Sequence, residues 1–310
     1  MSFLYSKFYP ATQSPICDIP LVLLHGWGTD SRSWIPLLSE ENIQSPNKTN
    51  RQLNKQFNVI TLDLPNFGQS SHLHSTDLDA WIDVIVAALP ERSILLGWSL
   101  GGMLATQISA RYPQRVAALI TLASNLSFVQ QEHWLTALSA EVDDRFYKSF
   151  MASPPLALKR FCALQAQGET AERESVKALR GLLQLTSIHI NNGWGESLQL
   201  LSKLDNRELF SQLSCPGLHF FAQNDALVPM TCAEKIRGLN STQQVSIING
   251  CGHAFHLYKS DAQLDLLTQL EVFLQSQNFL LSETTGMTGD TSVCQTGSPS
   301  TESYAIRSPQ

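Results

Sequence analysis

SILLGWSLGGMLA, residues 93–105, contains the pattern G-x-S-x-G between a short apolar run and a segment typical of a helix. This pattern predicts a sharp turn from a strand into a helix, because glycines on both sides of the serine avoid a steric clash. The turn exposes the serine hydroxyl at the amino end of the helix, where the helix dipole favours negative charge. Ser99 is therefore the predicted nucleophile.

Apolar runs typical of buried strands occur on both sides of this turn along the chain. They lie at 21–24, 59–63, 94–97, 118–122, 218–222 and 245–248, and helical patterns lie at 78–89, 103–112 and 261–274. Strands that alternate with helices predict a parallel sheet covered on both faces. The predicted fold class is α/β, with a mostly parallel, doubly wound sheet.

A segment rich in Leu, Ala, Gln and charged residues interrupts this alternation. It spans 124–206 and predicts a helical lid between two parts of the core, at 1–123 and 207–280. The polar stretch 41–56 predicts an extended surface loop. Residues 281–310 are dominated by Ser, Thr and Gly and predict a disordered tail outside the fold.

The composition excludes several classes of protein. The 310 residues are 43% hydrophobic and 15% charged, which is too apolar for a fibrous or wholly disordered chain. A net charge of −6 excludes nucleic-acid binding through a general basic field. We find no membrane span and no secretory signal and predict a cytoplasmic protein, a monomer, with no membrane partner. Six cysteines without metal-site spacing predict reduced thiols and no metal site.

A serine hydroxyl needs a base to remove its proton and a third group to orient that base. On this fold the acid and then the histidine follow the serine in the chain. Asp225 follows the apolar run 218–222 and is the predicted acid; the alternative is a turn or N-cap aspartate. His253 follows the run 245–248 on a glycine-flanked loop and is the predicted base, with His256 as its competitor.

Attack on a carbonyl places negative charge on its oxygen, and backbone N–H groups must stabilise that charge. The residue after the nucleophile, Leu100, supplies one predicted donor. The second is the N–H of Trp27, because Leu23 and Leu24 end an apolar run that breaks into a glycine-flanked turn. The alternative for this second turn is an ordinary strand end.

Several motifs together resemble the α/β-hydrolase superfamily. They are HGWG at 25–28, DLPNFGQS at 63–70, GWSLGG at 97–102, NDALVP at 224–229 and GCGHAFH at 250–256. Within the superfamily, RFCALQ at 160–165 and GETA at 168–171 resemble the lid of the pimeloyl-[acyl-carrier protein] methyl ester esterases of biotin synthesis. The resemblance covers about residues 15–277 and implies an α/β-hydrolase fold.

The resemblance also implies a reaction and a set of contacts. The reaction is hydrolysis of the methyl ester of pimeloyl-[acyl-carrier protein], with no metal or organic cofactor and with an acyl-carrier protein as partner. The implied substrate contacts are Trp27, Ser99, Leu100, Phe161, Cys162, Ala163, Leu164, Gln165 and His253. The implied carrier-docking residues are Arg160, Arg173, Lys177 and Arg180. The alternatives are a general short-chain carboxylesterase, a lyase of the menaquinone-pathway type that uses the same triad, and a catalytically silent scaffold.

The charge pattern of the lid favours carrier docking independently. Seven basic and three acidic residues lie between positions 145 and 180 of this acidic chain. Arg173, Lys177 and Arg180 follow helical spacing and share one face, which suits an acidic helix; the alternative is a solvated surface. Leu156 replaces one expected lid arginine, and Asn66 replaces the glycine expected in the second motif.

Overall fold

The computed structural model describes residues 3–38, 51–73, 75–186, 190–258, 260–277 and 279. Most of the predicted surface loop and the whole predicted tail lie outside these residues. In the part of the loop that is described, a short helix covers Leu53–Gln56, where extended chain was expected.

Seven strands form one sheet among the described residues. They are β1 (Ser6–Tyr9), β2 (Leu21–Leu24), β3 (Val59–Leu62), β4 (Ser93–Trp98), β5 (Val116–Leu122), β6 (Gly217–Ala222) and β7 (Gln243–Ile248). Their order across the sheet is β1-β3-β2-β4-β5-β6-β7. β1 pairs antiparallel with β3, and all other neighbours are parallel. The predicted mostly parallel sheet is confirmed.

Eleven α-helices are found in the same ranges. They are α1 (Ile35–Leu38), α2 (Leu53–Gln56), α3 (Leu78–Ala88), α4 (Leu100–Arg111), α5 (Ala140–Ala152), α6 (Pro154–Ala166), α7 (Glu172–Thr186), α8 (Asn192–Lys203), α9 (Arg207–Ser211), α10 (Thr231–Arg237) and α11 (Asp261–Ser276). None of the helices in the described ranges is both long and apolar enough to cross a bilayer.

The sheet is buried on both faces because its central strands are apolar at nearly every position. β2, β4, β5 and β6 are buried throughout. Successive side chains point to opposite faces, so Leu95 belongs to the core cluster that contains α3 and α4, and Leu96 to the cluster that contains α11. Helices therefore cover both faces, as expected of a doubly wound sheet.

The lid differs from the sequence prediction at its start. Between β5 and β6, helices α5 to α8 begin only at Ala140, whereas helix was expected from about Ser124. Residues 124–139 instead form turns and isolated bridges. The Asn125 side chain explains part of this, because it accepts from the Leu126 N–H and donates to the Thr136 carbonyl. Such local bonds compete with helical ones.

Candidate active site

Ser99 occupies a strained turn between β4 and α4. Its backbone dihedrals are φ 52° and ψ −116°, a conformation that costs a non-glycine residue on the order of 1–3 kcal/mol. A Cβ at Gly97 would lie 2.3 Å from the Gly101 carbonyl oxygen, and one at Gly101 would lie 2.1 Å from the Leu24 carbonyl oxygen. Neither contact is possible, so both positions require glycine.

The end of β5 holds this turn in place. The Ser99 N–H donates to the Leu122 carbonyl at 2.9 Å, and the Ser124 hydroxyl donates to the Ser99 carbonyl at 2.9 Å. Ala123, which lies between Leu122 and Ser124, has φ 45° and is a second strained residue near Ser99. The surrounding hydrogen bonds therefore fix the half-buried Ser99 at the carboxyl edge of the sheet.

Asp225 and His253 form a buried pair at the same edge. Asp225 follows β6 and His253 follows β7, and His253 Nδ1 lies 2.8 Å from Asp225 Oδ2. The other carboxylate oxygen accepts the N–H groups of Leu227 and Val228, at 2.8 and 2.9 Å. A carboxylate can only accept, so Nδ1 carries a proton and Nε2 is available as a base.

The loop that carries His253, residues 249–253 and here called the base loop, packs against the residue that precedes the nucleophile. Trp98 Nε1 donates to the His253 carbonyl at 3.0 Å, and the two ring centroids are 5.7 Å apart. Among the described residues no hydrogen bond joins Ser99 Oγ to His253. Catalytic hydrogen bonds are often long before substrate binds, so this contact remains a prediction.

Among the described residues, neither His256 nor His219 has a hydrogen-bonded carboxylate partner such as Asp225 provides for His253. His256 lies between the rings of Trp34 and Trp98, and neither of its ring nitrogens has a partner in the described ranges. Burial lowers the pKa of His256 to about 3 and that of His219, within β6, to about 4. Both imidazoles are therefore neutral near pH 7. The geometry favours His253 over its competitor.

The loop after β2 contains Trp27, whose backbone N–H is a free hydrogen-bond donor among the described residues. His25 Nε2 accepts the Leu64 N–H at 2.9 Å, so its Nδ1 carries the proton and lies 2.8 Å from the Gly26 carbonyl. Burial lowers the pKa of His25, which keeps this tautomer neutral. Within the described part of the chain, the N–H groups of Trp27 and Leu100 have no acceptor. Both are available to an oxyanion.

The lid covers this loop with aromatic side chains. The ring centroid of Trp27 lies between 5.3 and 5.9 Å from those of four lid residues, Phe146, Phe150, Phe161 and Trp194. The Trp27 indole N–H donates to Ser197 Oγ at 2.9 Å. The surface beside the oxyanion loop is therefore apolar, and its two indole donors, on Trp27 and Trp194, are already paired.

Sequence reasoning missed Phe146, Phe150 and Trp194. Phe146 and Phe150 are one helical turn apart on α5, so they share a face, and that spacing is a signal for a lid surface that covers a site. Trp194 sits near the start of α8 and has no comparable local signal.

The predicted lid contacts are distributed unevenly. Phe161 touches Trp27, and the Gln165 carbonyl accepts the His253 N–H at 2.9 Å. Cys162 is buried in the core, Leu164 is half-buried and Ala163 is exposed. Of the five predicted lid residues 161–165, Phe161 and Gln165 therefore make these direct contacts with residues of the site.

The basic lid residues face solvent. Arg160, Arg173, Lys177 and Arg180 are all exposed, and none of them forms an ion pair with another described residue. Leu156, which replaces an expected arginine, is 47% exposed on the same lid. Three of these cations lie on α7 at helical spacing, so a cationic face is available to an anionic partner.

The described cysteines are buried and free. Cys251 lies two residues before His253, but burial raises the pKa of its thiol to about 12. The thiolate is the reactive form of cysteine, so Cys251 is a packing residue and does not compete with Ser99 as a nucleophile.

Comparison with known proteins gives a family match and close relatives. A family model described as the alpha/beta hydrolase fold matches residues 19–260. The chain is 31% identical over 84% of its length to the pimeloyl-[acyl-carrier protein] methyl ester esterase of Aliivibrio salmonicida, and covers 94% of it. It is 44% identical over 76% of its length to the biotin biosynthesis bifunctional protein BioHC of Cellvibrio japonicus.

The chain covers only 44% of that bifunctional relative and spans about half the length of the bifunctional relatives it matches. Among solved structures, an esterase from Exiguobacterium antarcticum superposes with a TM-score of 0.72 over 88% of this chain and 95% of its own. The sequence identity to that esterase is 19%, so the likeness concerns the fold alone.

Proposed function

The chain belongs to the alpha/beta hydrolase family, and from that membership we propose that it is a serine carboxylesterase acting on the methyl ester of pimeloyl-[acyl-carrier protein]. The observation that carries the proposal is the convergence of three loops at one sheet edge. Ser99 lies on a strained turn after β4, the buried Asp225–His253 pair follows β6 and β7, and the N–H groups of Trp27 and Leu100 are free.

The first half of the proposed reaction forms an acyl-enzyme. His253 Nε2 removes the Ser99 proton as Oγ attacks the ester carbonyl, and Asp225 stabilises the resulting imidazolium. The N–H groups of Leu100 and Trp27 stabilise the oxyanion, a contribution worth on the order of 10²–10³ in rate for one donor. His253 then protonates the departing methoxide, which leaves as methanol.

The second half releases the acid. His253 removes a proton from water, which attacks the acyl-enzyme, and the tetrahedral intermediate collapses as Ser99 regains its proton. The products are methanol and pimeloyl-[acyl-carrier protein]. The chemistry needs no metal or organic cofactor, and this absence remains a prediction.

Two observations favour the carrier-linked ester over other esters. A relative of matching length is named for this activity, and the exposed cations of the lid suit an acidic carrier protein. The aromatic surface around Trp27 suits a methylene chain. A cytoplasmic location, a monomeric state and contact of substrate with Phe161 through Gln165 also belong to this proposal.

The proposal is tested by comparing esters with and without the carrier. We expect purified protein to hydrolyse methyl pimeloyl-carrier protein with a higher kcat/KM than p-nitrophenyl acetate. Equal or better turnover of the simple ester would favour a general short-chain carboxylesterase. Failure of a fluorophosphonate to label the folded protein would favour a catalytically silent scaffold.

Arg173, Lys177 and Arg180 form the cationic lid face. Reversing their charge should weaken the reaction with the carrier-linked ester but not the reaction with a simple ester. We expect the triple variant Arg173→Glu, Lys177→Glu, Arg180→Glu to raise KM for the carrier-linked ester by about 10- to 100-fold at low salt, because steering is lost. The kcat/KM for p-nitrophenyl acetate should stay within about twofold. Steady-state kinetics at low and high salt measure both effects.

A matched control carries the same change in net charge elsewhere on the surface. The exposed Lys203, Lys235 and Arg237 lie outside the lid face, and their reversal to Glu should leave KM for the carrier-linked ester near the wild-type value. An equal loss in both triple variants would show that overall charge, and not the lid face, governs carrier recognition.

A further inference from the structure

The connection between α6 and α7 forms hydrogen bonds with the loop that carries Asp225 and with the loop that carries His253. We define this lid connection as residues 165–170, which includes the last two residues of α6. Its Gln165 carbonyl accepts the His253 N–H at 2.9 Å, and its Thr170 N–H donates to the Gly250 carbonyl at 3.0 Å. Asn224, next to Asp225, donates from its side chain to the Gly168 carbonyl at 2.7 Å. The lid thus supports the backbone that carries His253.

Glycines allow this close contact. A Cβ at Gly252 would lie 2.8 Å from the Gln165 carbonyl oxygen and 3.1 Å from Glu169 Cγ. Gly168 has φ 78°, and a Cβ there would lie 2.8 Å from the Asn224 Cβ. Close backbone approach is a physical reason for glycine at both positions. At these two positions the lid connection therefore packs against the base loop and against Asn224 too closely for a further side chain.

Glu169 places a carboxylate at this contact. The Ser175 hydroxyl donates to its Oε2, and the fully buried Oε1 has no hydrogen-bond partner among the described residues. Burial raises the pKa of this carboxyl, while the Ser175 hydroxyl, the Gly252 N–H and the charge of His253 lower it. A buried carboxylate oxygen without a partner is costly, so the position of this group needs a reason.

The reaction supplies a reason. When His253 accepts the Ser99 proton it becomes an imidazolium in a buried site, where a nearby negative charge is most effective. Asp225 contacts the Nδ1 side of the ring, and Glu169 faces the backbone of the same loop from the lid. Two carboxylates then act on one histidine from different elements.

Other titratable groups surround the two residues. Those that lie near Glu169 or His253, on the same loop or on neighbouring elements, are Arg51, Glu172, Asp225, Cys251, His256, Tyr258 and Asp261. Arg51 and Asp261 line, with Glu169, an open cavity of about 300 Å³, so solvent screens them. None of these seven side chains changes in the Glu169, Glu174 and Ser175 variants that test this inference.

We propose that Glu169 is a positioning residue for His253: from the lid it holds the base loop, and its charge stabilises the imidazolium formed during reaction. This inference rests on the proposed ester hydrolysis by Ser99 and His253. It links the lid to the chemical step itself, in addition to any contact of the lid with substrate.

The test is the pH dependence of p-nitrophenyl acetate hydrolysis by the full chain with Glu169→Gln. We expect kcat to fall about three- to tenfold with little change in KM, and the acid limb of the kcat/KM profile to move to lower pH by roughly half a unit to one unit. The exposed Glu174, on the adjoining helix α7, provides the matched control, and Glu174→Gln should keep the wild-type profile.

A second variant allows the test to be made even if Glu169→Gln does not fold. Ser175→Ala removes one group that stabilises the charged carboxyl, so its acid limb should move in the same direction by a smaller amount. A wild-type acid limb in both variants, with active wild-type enzyme, overturns this inference and leaves the proposed function intact. A wild-type enzyme that hydrolyses neither p-nitrophenyl acetate nor methyl pimeloyl-carrier protein overturns both.

Discussion

Ser99→Ala is expected to lower kcat for p-nitrophenyl acetate by about 10⁴- to 10⁶-fold, because the alanine has no oxygen with which to form an acyl-enzyme. The backbone should be unaffected. Alanine at the strained φ of 52° has the same steric problem as serine, so the thermal midpoint should stay close to that of the wild type. Steady-state kinetics and thermal unfolding measure the two quantities.

The loss should not grow when the base is removed as well. Residues that act as a unit are strongly non-additive, so Ser99→Ala combined with His253→Ala should be no slower than Ser99→Ala alone. A surface serine on α9, Ser211, provides the control, and Ser211→Ala should keep full activity and fluorophosphonate labelling. More than about a tenth of wild-type kcat in Ser99→Ala would mean that another group attacks the ester.

The sheet could be predicted because its strands are apolar at nearly every position and are separated by helices. β1 was missed for the opposite reason. Its sequence SKFY lies at the sheet edge with three exposed residues, so its apolar content resembles that of a loop. α10 was missed because seven residues give too short a run for helical periodicity to show.

The site could be predicted to the extent that each part has a local signature. The turn at Ser99 needs its two glycines, and Asp225 and His253 both follow apolar runs whose ends meet at one edge of a parallel sheet. Glu169 has no such signature. Its contact with Gly252 depends on how the lid packs on the core, and no periodicity or spacing encodes that packing.

The geometry of Asp225 gives a second large effect with a specific cause. Asp225→Asn is expected to lower kcat by about 10⁴-fold with little change in stability. The two N–H groups of Leu227 and Val228 bind one oxygen of the side chain, so the asparagine must keep its amide oxygen there. Its NH₂ group then faces His253 Nδ1, which must accept. The proton moves to Nε2, and the imidazole can no longer deprotonate Ser99.

The effect of Asp225 on the His253 tautomer also distinguishes the role of the Asp225 carboxylate from that of Glu169. Asp265→Asn, on exposed α11 surface, removes an equal charge and should leave kcat unchanged. If Asp225→Asn stays within about tenfold of the wild type, the carboxylate does not set the tautomer. If it loses about 10⁴-fold, adding Glu169→Gln should cost little more, because Glu169 acts on an imidazolium that the wrong tautomer does not form.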